Sequence, residues 1–269
     1  MILASHGIIA SQIASFDADA AAFFNRVTTA GGSLSTTEKQ AVNQLVLDLK
    51  ANSIWTPMKA IYPMVGASAA ACKQNLKSSS FTGTFTSGWT FASTGVTGNG
   101  SSTYMDTTLI PSVSIASLDS THLSYYANTN VGIQKFQIGV RGGVVSSDLF
   151  IGARWDSTQN FNAVNNDTNP VFNSETNNVN GFLAVSRINS TTFKYYKGGS
   201  VAQTNTKSSS SLPNTYPIWI GALNLSGSIL FPDTSQCAFA SIGDGLTDTQ
   251  ASNFYTAVQA FQTTLGRQV

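Results

Sequence analysis

Carboxylates come first in a search for chemistry, because hydrolysis of a glycosidic bond needs two of them across one cleft. The chain has 13 acidic residues, and its glutamates are Glu38 and Glu175. Glu38 is accounted for by a helix cap, since it fills the third position of a capping box. Asp148, Asp156 and Asp167 lie near one another in sequence, but not at the spacing of a catalytic pair. We therefore predict that the protein is not an enzyme.

Histidine and cysteine are equally scarce, with His6, His122, Cys72 and Cys237 as the full set. A Ser-His-Asp triad would have to use one of these histidines, and the sequence contains no G-x-S-x-G motif. We interpret both histidines as partly exposed structural residues. For the two cysteines, two alternatives stay open: one disulfide bond between them, or two buried free thiols. Because the sequence has no H-E-x-x-H motif either, we predict no metal site and no cofactor.

The segment ARWDSTQNFNAVNNDTN, residues 153–169, is the best candidate for ligand binding. An exposed aromatic ring can stack on a sugar while amide and carboxylate groups bond its hydroxyls. In the alternative reading, Trp155 and Phe161 pack inward and the asparagines only form turns. A calcium site at NNDTN, residues 165–169, is a further hypothesis, but the interpretation as an ordinary turn-rich loop is favoured. The predicted ligand-binding residues are Trp155, Asp156, Asn160, Asn162, Asn165, Asn166 and Asp167.

The composition of the 269 residues excludes several classes of partner. Charged residues make up 10% of the chain and the net charge is +1, whereas about 25% charged residues is usual. With no cluster of Lys and Arg, we predict no nucleic-acid binding. No apolar run reaches the roughly 18 residues of a membrane span, and the first residues lack the basic start of a signal peptide. A neutral polar surface of this kind fits an extracellular or virion protein.

Local signals predict three helices. The first begins at Asp17 or Asp19 and ends before Gly31 and Gly32. The capping box at Ser35–Glu38 opens the second helix, which we expect to run to about Ala51. The capping box at Thr247–Gln250 opens the third, whose apolar stripe comprises Ala251, Phe254, Val258, Phe261 and Leu265 and which ends at Gly266.

From about residue 79 onward, short apolar alternations separated by Gly, Asn, Ser and Thr predict strands. The clearest hairpin lies in GFLAVSRINSTTFKYYKGGSVAQT, residues 181–204, where Gly198 and Gly199 supply the positive φ of a tight turn. Residues 53–66 are interpreted as a buried connector with a short strand, and residues 155–170 as a loop. The nine strand candidates indicate a two-sheet sandwich or jelly roll. They are SSFTGTF, STYMDTTL, THLSYYAN, KFQIGV, SDLFIGAR, GFLAVSRI, TFKYYK, PIWIGAL and CAFASIG.

Five segments carry a resemblance to known families. STTFKYYKGG, IWIGALNLSG and AFASIGDGLTDTQASNFYTAVQAF resemble the closing strands and helix of concanavalin-like (laminin-G-like) jelly rolls. LVLDLKANSIWTPMKAIYPMVG at 45–66 and SGWTFASTGVTGNGSSTYMDT at 87–107 look like a family of bacteriophage structural proteins, to which the C-terminal GDGLTDTQASNFYTAVQAFQTTLGRQV is also similar. The likeness spans residues 15–269, except for the loops near 155–180. In that family a small helical N-terminal region precedes a concanavalin-like domain.

The resemblance implies a mainly β protein, a concanavalin-like antiparallel β-sandwich (jelly roll) with a small helical N-terminal region and a C-terminal helix packed on its edge. The expected divisions are an extended arm over 1–14, a helical region and connector over 15–66, and the sandwich with its helix over 67–269. The implied function is that of a non-enzymatic virion subunit on the particle surface, assembled in the host cytoplasm. It would belong to a fibre, a tail appendage or a head decoration.

The partners implied by the resemblance are other virion proteins, further copies of the chain and host-surface glycans, the last bound by a lectin-like module. One alternative is a purely architectural subunit that contacts only virion proteins. The least favoured alternative is a glycan hydrolase or depolymerase. Hydrolases of this fold carry acidic residues alternating on one strand in the pattern E-x-D-x-x-E, and this sequence has none.

Overall fold

The computed structural model of the protein describes residues 15–130, 134–142, 148–152, 161–167, 171–173 and 180–269, with the backbone alone at 161, 162, 164 and 171–173. The arm expected over residues 1–14, which includes His6, lies outside this range. Two sheets stacked on each other form the centre of the molecule. This confirms the prediction of a mainly β sandwich.

The first sheet has eight strands. Along the sheet they are ordered β13 (Ser200–Thr206), β12 (Thr192–Lys197), β11 (Gly181–Arg187), β6 (Thr121–Ala127), β17 (Gln236–Gly243), β4 (Gly95–Thr97) and β3 (Thr90–Ala92), and β1 (Met58–Tyr62) pairs with β17. The predicted turn joins β12 to β13, with φ of 54° at Gly198 and 76° at Gly199. Positive φ at both positions matches the right-handed twist of the two strands, so the hairpin follows directly from its Gly-Gly sequence.

The second sheet has nine strands and lies over the inner face of the first. Its main path is β10 (Val171–Asn173), β9 (Phe161–Asp167), β8 (Asp148–Gly152), β7 (Ile138–Arg141), β14 (Trp219–Ile220), β5 (Met105–Asp106) and β2 (Thr84–Phe85), and the ribbon of β15 (Leu223–Leu225) and β16 (Ser228–Leu230) pairs with β7. All nine predicted strand candidates contain a strand of one of the two sheets.

Alternation along each strand separates two cores. Val185, Phe193 and Tyr195 point between the two sheets, where they join Ile138 and Ile151 of the second sheet. Their neighbours on the same strands point to the opposite side of the first sheet, because successive side chains of a strand face opposite ways. Those neighbours, Phe182, Ala184 and Tyr196, lie in a second core.

Helices fill that second core and give the molecule a third layer. The principal helices are α1 (Ala18–Thr29), α2 (Thr36–Ala51) and α5 (Asp248–Thr264), and the short turns α3 (Ala69–Cys72) and α4 (Pro111–Ser114) lie in the connections. Both predicted capping boxes are present, at Ser35 with Glu38 and at Thr247 with Gln250. Phe254 of α5 packs on Phe182 and Phe239, which belong to inner strands of the sheet. The C-terminal helix therefore covers a face of the sandwich, and the expectation that it packs on the edge is wrong.

A strand lies where the sequence analysis predicted only a loop. β9 occupies residues 161–167 and pairs with β8 on one side and β10 on the other. Its sequence, FNAVNND, contains three asparagines and one aspartate, residues that are depleted in strands in general. The sequence resembles a turn because asparagine is common in turns. Local sequence does not reveal that two of these asparagines are buried and hydrogen-bonded within a strand.

The state of the two cysteines is resolved by the structure. Cys72 and Cys237 are free and buried, which resolves the open alternative in favour of two free thiols. Burial raises the pKa of each thiol to about 12.

Among the described residues no helix has the length and apolar character needed to cross a membrane.

Candidate functional site

The predicted ligand-binding segment divides into an undescribed and a described part. Trp155, Asp156 and Asn160 lie outside the described residues. Asn162 is described in its backbone, where it pairs with Gly152 of β8 and Phe172 of β10. Asn165, Asn166 and Asp167 are described in full, and their side chains can be compared with the prediction.

A β-bulge at Asn166 determines where these last three side chains point. Asp148 pairs with Asp167 and Leu149 with Asn165, so Asn166 is an extra residue in β9. It has a φ of 56°, a conformation that asparagine adopts more readily than most residues. Asn165 and Asn166 are both 0% exposed, and Asp167 is 6% exposed. The bulge thus places two consecutive amides inside the protein.

Hydrogen bonds join these amides to Thr121, the first residue of β6, and to Leu118 just before it. The Asn165 Nδ2 donates to the carbonyl of Thr121 at 3.1 Å, and the Thr121 hydroxyl donates to Asn165 Oδ1. The Asn166 Nδ2 donates to the carbonyl of Leu118 at 2.7 Å and to Thr121 Oγ1 at 3.1 Å. β9 of the second sheet is therefore tied to β6 of the first.

Two arginines complete the polar end of the sandwich. The guanidinium of Arg187 is 0% exposed and donates to the carbonyls of Asn165 and Lys207, each at 2.9 Å. Burial lowers the pKa of Arg187, and the charges of Asp167 and Asp119 act against that shift. Arg141 donates to Asp148 Oδ2 from Nε at 2.7 Å and from Nη2 at 2.6 Å. Burial nevertheless raises the pKa of Asp148.

The burial of Asn165, Asn166 and Asp167 does not agree with a role as sugar ligands. The two amides already bond within the chain and could meet a sugar hydroxyl only after local opening, which would cost their present hydrogen bonds. Their role in this structure is to close one end of the sandwich. For Trp155, Asp156, Asn160 and Asn162, binding stays a prediction.

His122 is part of a buried serine network. Its Nδ1 lies 2.6 Å from the carbonyl of Asp244, which only accepts, so this nitrogen carries the proton. Its Nε2 then accepts from Ser241 Oγ at 3.0 Å, and Ser241 lies 2.7 Å from Ser124 Oγ. Burial lowers the pKa of His122 to about 4. The expectation that His122 is partly exposed is wrong, because the residue is 0% exposed.

This network does not amount to a catalytic triad. In a triad a carboxylate would accept from His122, but here the acceptor is the backbone carbonyl of Asp244. The carboxylate of Asp244 pairs instead with Lys59 at 2.8 Å. Ser124 and Ser241 are also 0% exposed, so a substrate could not reach either hydroxyl. The arrangement stabilises the pairing of β6 with β17, in which these residues lie.

An aromatic pair on the outer face of the second sheet escaped the sequence analysis. Trp219 is 5% exposed, and because its neighbours Ile218 and Ile220 occupy the core between the sheets, Trp219 points to the opposite side of the second sheet. Tyr104 stacks on its indole with a centroid distance of 3.6 Å and an angle of 11°. Tyr104 and Asp106 are two residues apart and share this face, which the alternation in TYMD could have revealed.

A groove of about 610 Å³ lies at the start of α2. Its carboxylate, Glu38, accepts from the backbone N–H of Ser35 and of Gly66, each at 2.7 Å. Both oxygens are therefore occupied by contacts that hold the helix start against the connector. The groove is lined by Ser33, Leu34, Ser35, Thr37, Glu38, Gly66, Ala67, Ser93, Thr264 and Leu265. Among all the residues that the structure describes, His, Cys, Asp and Glu form no group of three that could hold a metal ion.

Several solved structures with a similar fold come from proteins that act on or bind carbohydrates. Domain 4 of AbnA, an extracellular arabinanase from Geobacillus stearothermophilus solved with arabinotriose, superposes with a TM-score of 0.53 at 14% identity, over 74% of this chain and 98% of that domain. The NanB sialidase of Streptococcus pneumoniae gives 0.41 at 14% identity, over 55% of this chain and 26% of that one.

The CBM40 of the Ruminococcus gnavus IT-sialidase gives a TM-score of 0.35 at 14% identity, over 48% of this chain and 78% of that module. The sialidase and this module are too distant to carry an argument, whereas the arabinanase domain supports the fold. No protein-family model matches the sequence, and no curated protein matches it.

Proposed function

We propose that this chain is a non-enzymatic, carbohydrate-binding β-sandwich displayed on the surface of a bacteriophage particle. The observation that carries the binding function is the similarity of its fold to nearly the whole length of an arabinanase domain that was solved with arabinotriose. The aromatic and amide side chains of residues 155–162 supply the groups that such a ligand needs.

The absence of catalysis is supported by the described side chains. The buried histidine and serines of the sandwich face one another and not solvent, and Glu38 is engaged by two backbone N–H groups. The virion location is supported by the resemblance of residues 45–66 and 87–107 to phage structural proteins and by the neutral composition. Weak binding at each site would become useful adhesion through many copies on one particle.

A glycan array, followed by calorimetry on any positive oligosaccharide, tests the binding function with the full chain. We expect wild type to bind at least one oligosaccharide and Trp155→Ala to lose that binding without a change in thermal unfolding. Phe16→Ala is the matched control, because Phe16 is a 39% exposed aromatic two residues before α1 in the helical layer. Equal binding by Trp155→Ala and wild type, or no binding by wild type, would contradict the proposal.

A purely architectural virion subunit is the second candidate, and one observation favours it. Three of the seven predicted ligand residues, Asn165, Asn166 and Asp167, are buried at the end of the sandwich. On this reading the sandwich would only position the chain among other virion proteins. Proteomics of purified particles separates the candidates when combined with the array. An architectural subunit would be found in the particle and bind no glycan.

A further inference from the structure

The two sheets end in strands of very different length. The second sheet ends in β10, with 3 residues, and β2, with 2, and one edge of the first sheet ends in β3, with 3 residues. The other edge of the first sheet ends in β13, with 7 residues. A long edge strand presents a row of unpaired N–H and C=O groups to a potential partner strand, whereas very short edge strands do not.

The outer side of β13 is open in the described structure. β13 pairs with β12, and none of the other described strands pairs with its opposite side. β1 provides a contrast, because its free side is covered: the N–H of Ile61 donates to Asn75 Oδ1 at 2.9 Å and its carbonyl accepts from Leu76 at 2.8 Å. Ser200, Val201, Thr204 and Thr206 of β13 are exposed, and Val201 has 42% of its surface in solvent.

Of the usual protections of an edge strand against pairing, β13 has only a bulge. Natural edge strands are commonly blocked by a charge or a proline, but SVAQTNT contains neither. A bulge at Ala202, between the pairs Tyr195–Gln203 and Tyr196–Val201, leaves Gln203–Thr206 as a regular stretch. α5 packs beside β13, and Asp248 is the one charged residue within that helix. On β12, Lys194 lies opposite Thr204 and Lys197 opposite Ser200, and Lys194 pairs with Asp248. Lys207 follows β13 directly. The strand itself is therefore neutral, and the charges that flank it are lysines.

We propose that β13 is a self-association edge, which pairs antiparallel with β13 of a second copy and joins two first sheets into one. A two-fold antiparallel contact places each residue opposite the same short segment of the partner. A charged strand would then face its own charge, whereas this neutral strand faces only hydrogen-bonding and β-branched side chains. The proposal does not depend on glycan binding.

Sedimentation equilibrium of the full chain tests this edge, with Val201→Lys as the disrupting variant. Lysine at this exposed position adds a charge to the edge of each copy, which is one of the means by which natural edge strands are protected from pairing. We expect wild type to show twice the monomer mass of 28.4 kDa and Val201→Lys to show the monomer mass at the same concentration. Val113→Lys is the matched control, because Val113 is 78% exposed in α4; this variant should associate as wild type does.

Amide hydrogen exchange measured at low and high protein concentration gives a second readout that needs no substitution. The amides of β13 should exchange more slowly at high concentration, while those of β3 should be unaffected. A wild type that stays monomeric, an associating Val201→Lys, or equal loss of association in Val113→Lys would each overturn the proposal. Thr204→Lys, at another exposed position of the strand, replaces Val201→Lys if the latter fails to fold.

Discussion

At the scale of single residues, His122 makes the stability of this protein depend on pH. Its folded pKa of about 4 lies below the value of about 6.5 in an unfolded chain. The folded state therefore favours the neutral ring, and the stability that this supplies is complete above pH 6.5 and is lost as pH falls toward 4. We expect a loss of about 2 kcal/mol between pH 7 and pH 4.5 from this group.

Urea unfolding of wild type and His122→Gln at both pH values measures this contribution. The variant should be less stable at pH 7, because it disturbs the bonds to Ser241 and Asp244, but its stability should fall less on acidification. Burial raises the pKa of Asp148 and Asp233, which adds stability as pH falls in both proteins and cancels in the comparison. Parallel pH profiles would show that folding does not lower the pKa of His122.

Single residues also show where sequence reasoning reached its limit. Glu38 and Gln250 were correctly assigned to helix caps, because a capping box lies within four consecutive residues. The burial of Asn165 and Asn166 could not be predicted, since it depends on Thr121, which is 44 and 45 residues away. The same is true of His122, whose partner Ser241 is 119 residues away.

At the scale of elements, α5 is the helix whose burial the sequence predicted most directly. Phe254, Val258 and Phe261 recur on one stripe, and all three are at most 2% exposed. Phe261 lies 6.3 Å from Phe239 of β17, and the guanidinium of Arg267 lies 5.2 Å from its ring centroid. The stripe thus seals the outer face of the first sheet.

Phe261→Ala should lower the free energy of unfolding by about 3–5 kcal/mol, because it removes a buried ring and leaves a cavity. Thr256→Ala, at an exposed position of the same helix, should change it by less than about 0.5 kcal/mol. Denaturant unfolding followed by circular dichroism measures both. A loss below about 1 kcal/mol for Phe261→Ala would mean that α5 is not firmly packed on the sheet.

Elements differ in how well local sequence specifies them. The β12–β13 hairpin was predicted because its Gly-Gly turn and its alternation agree. β9 was missed because its asparagines are typical of turns, and only pairing with β8 and the bulge at Asn166 make a strand of them. Strand pairing is non-local, so an edge such as β13 is recognised only once the order of strands is known.

At the scale of the whole molecule, the helical region and the sandwich share one core. Phe23 of α1, Leu45 of α2 and Phe254 of α5 lie in it together with residues of the first sheet. Arg267 reinforces the connection, since its guanidinium donates to the carbonyls of Pro63, Met64 and Ala238. Removal of any of these three helices should therefore affect the sandwich.

Residues 1–14 give the last prediction, which separates folding from assembly. They contain Ile2, Leu3, Ile8, Ile9 and Ile13, apolar side chains that would be a liability if exposed on a free surface. If the chain is the virion subunit proposed above, a chain that lacks residues 1–14 should unfold at the same temperature as wild type but be missing from assembled particles. Quantitative mass spectrometry of particles from complemented infections measures incorporation. Ile8→Ser with Ile9→Ser should reproduce the defect, since the arm would dock through these side chains. Normal incorporation of the truncated chain would place the docking surface on the folded body instead.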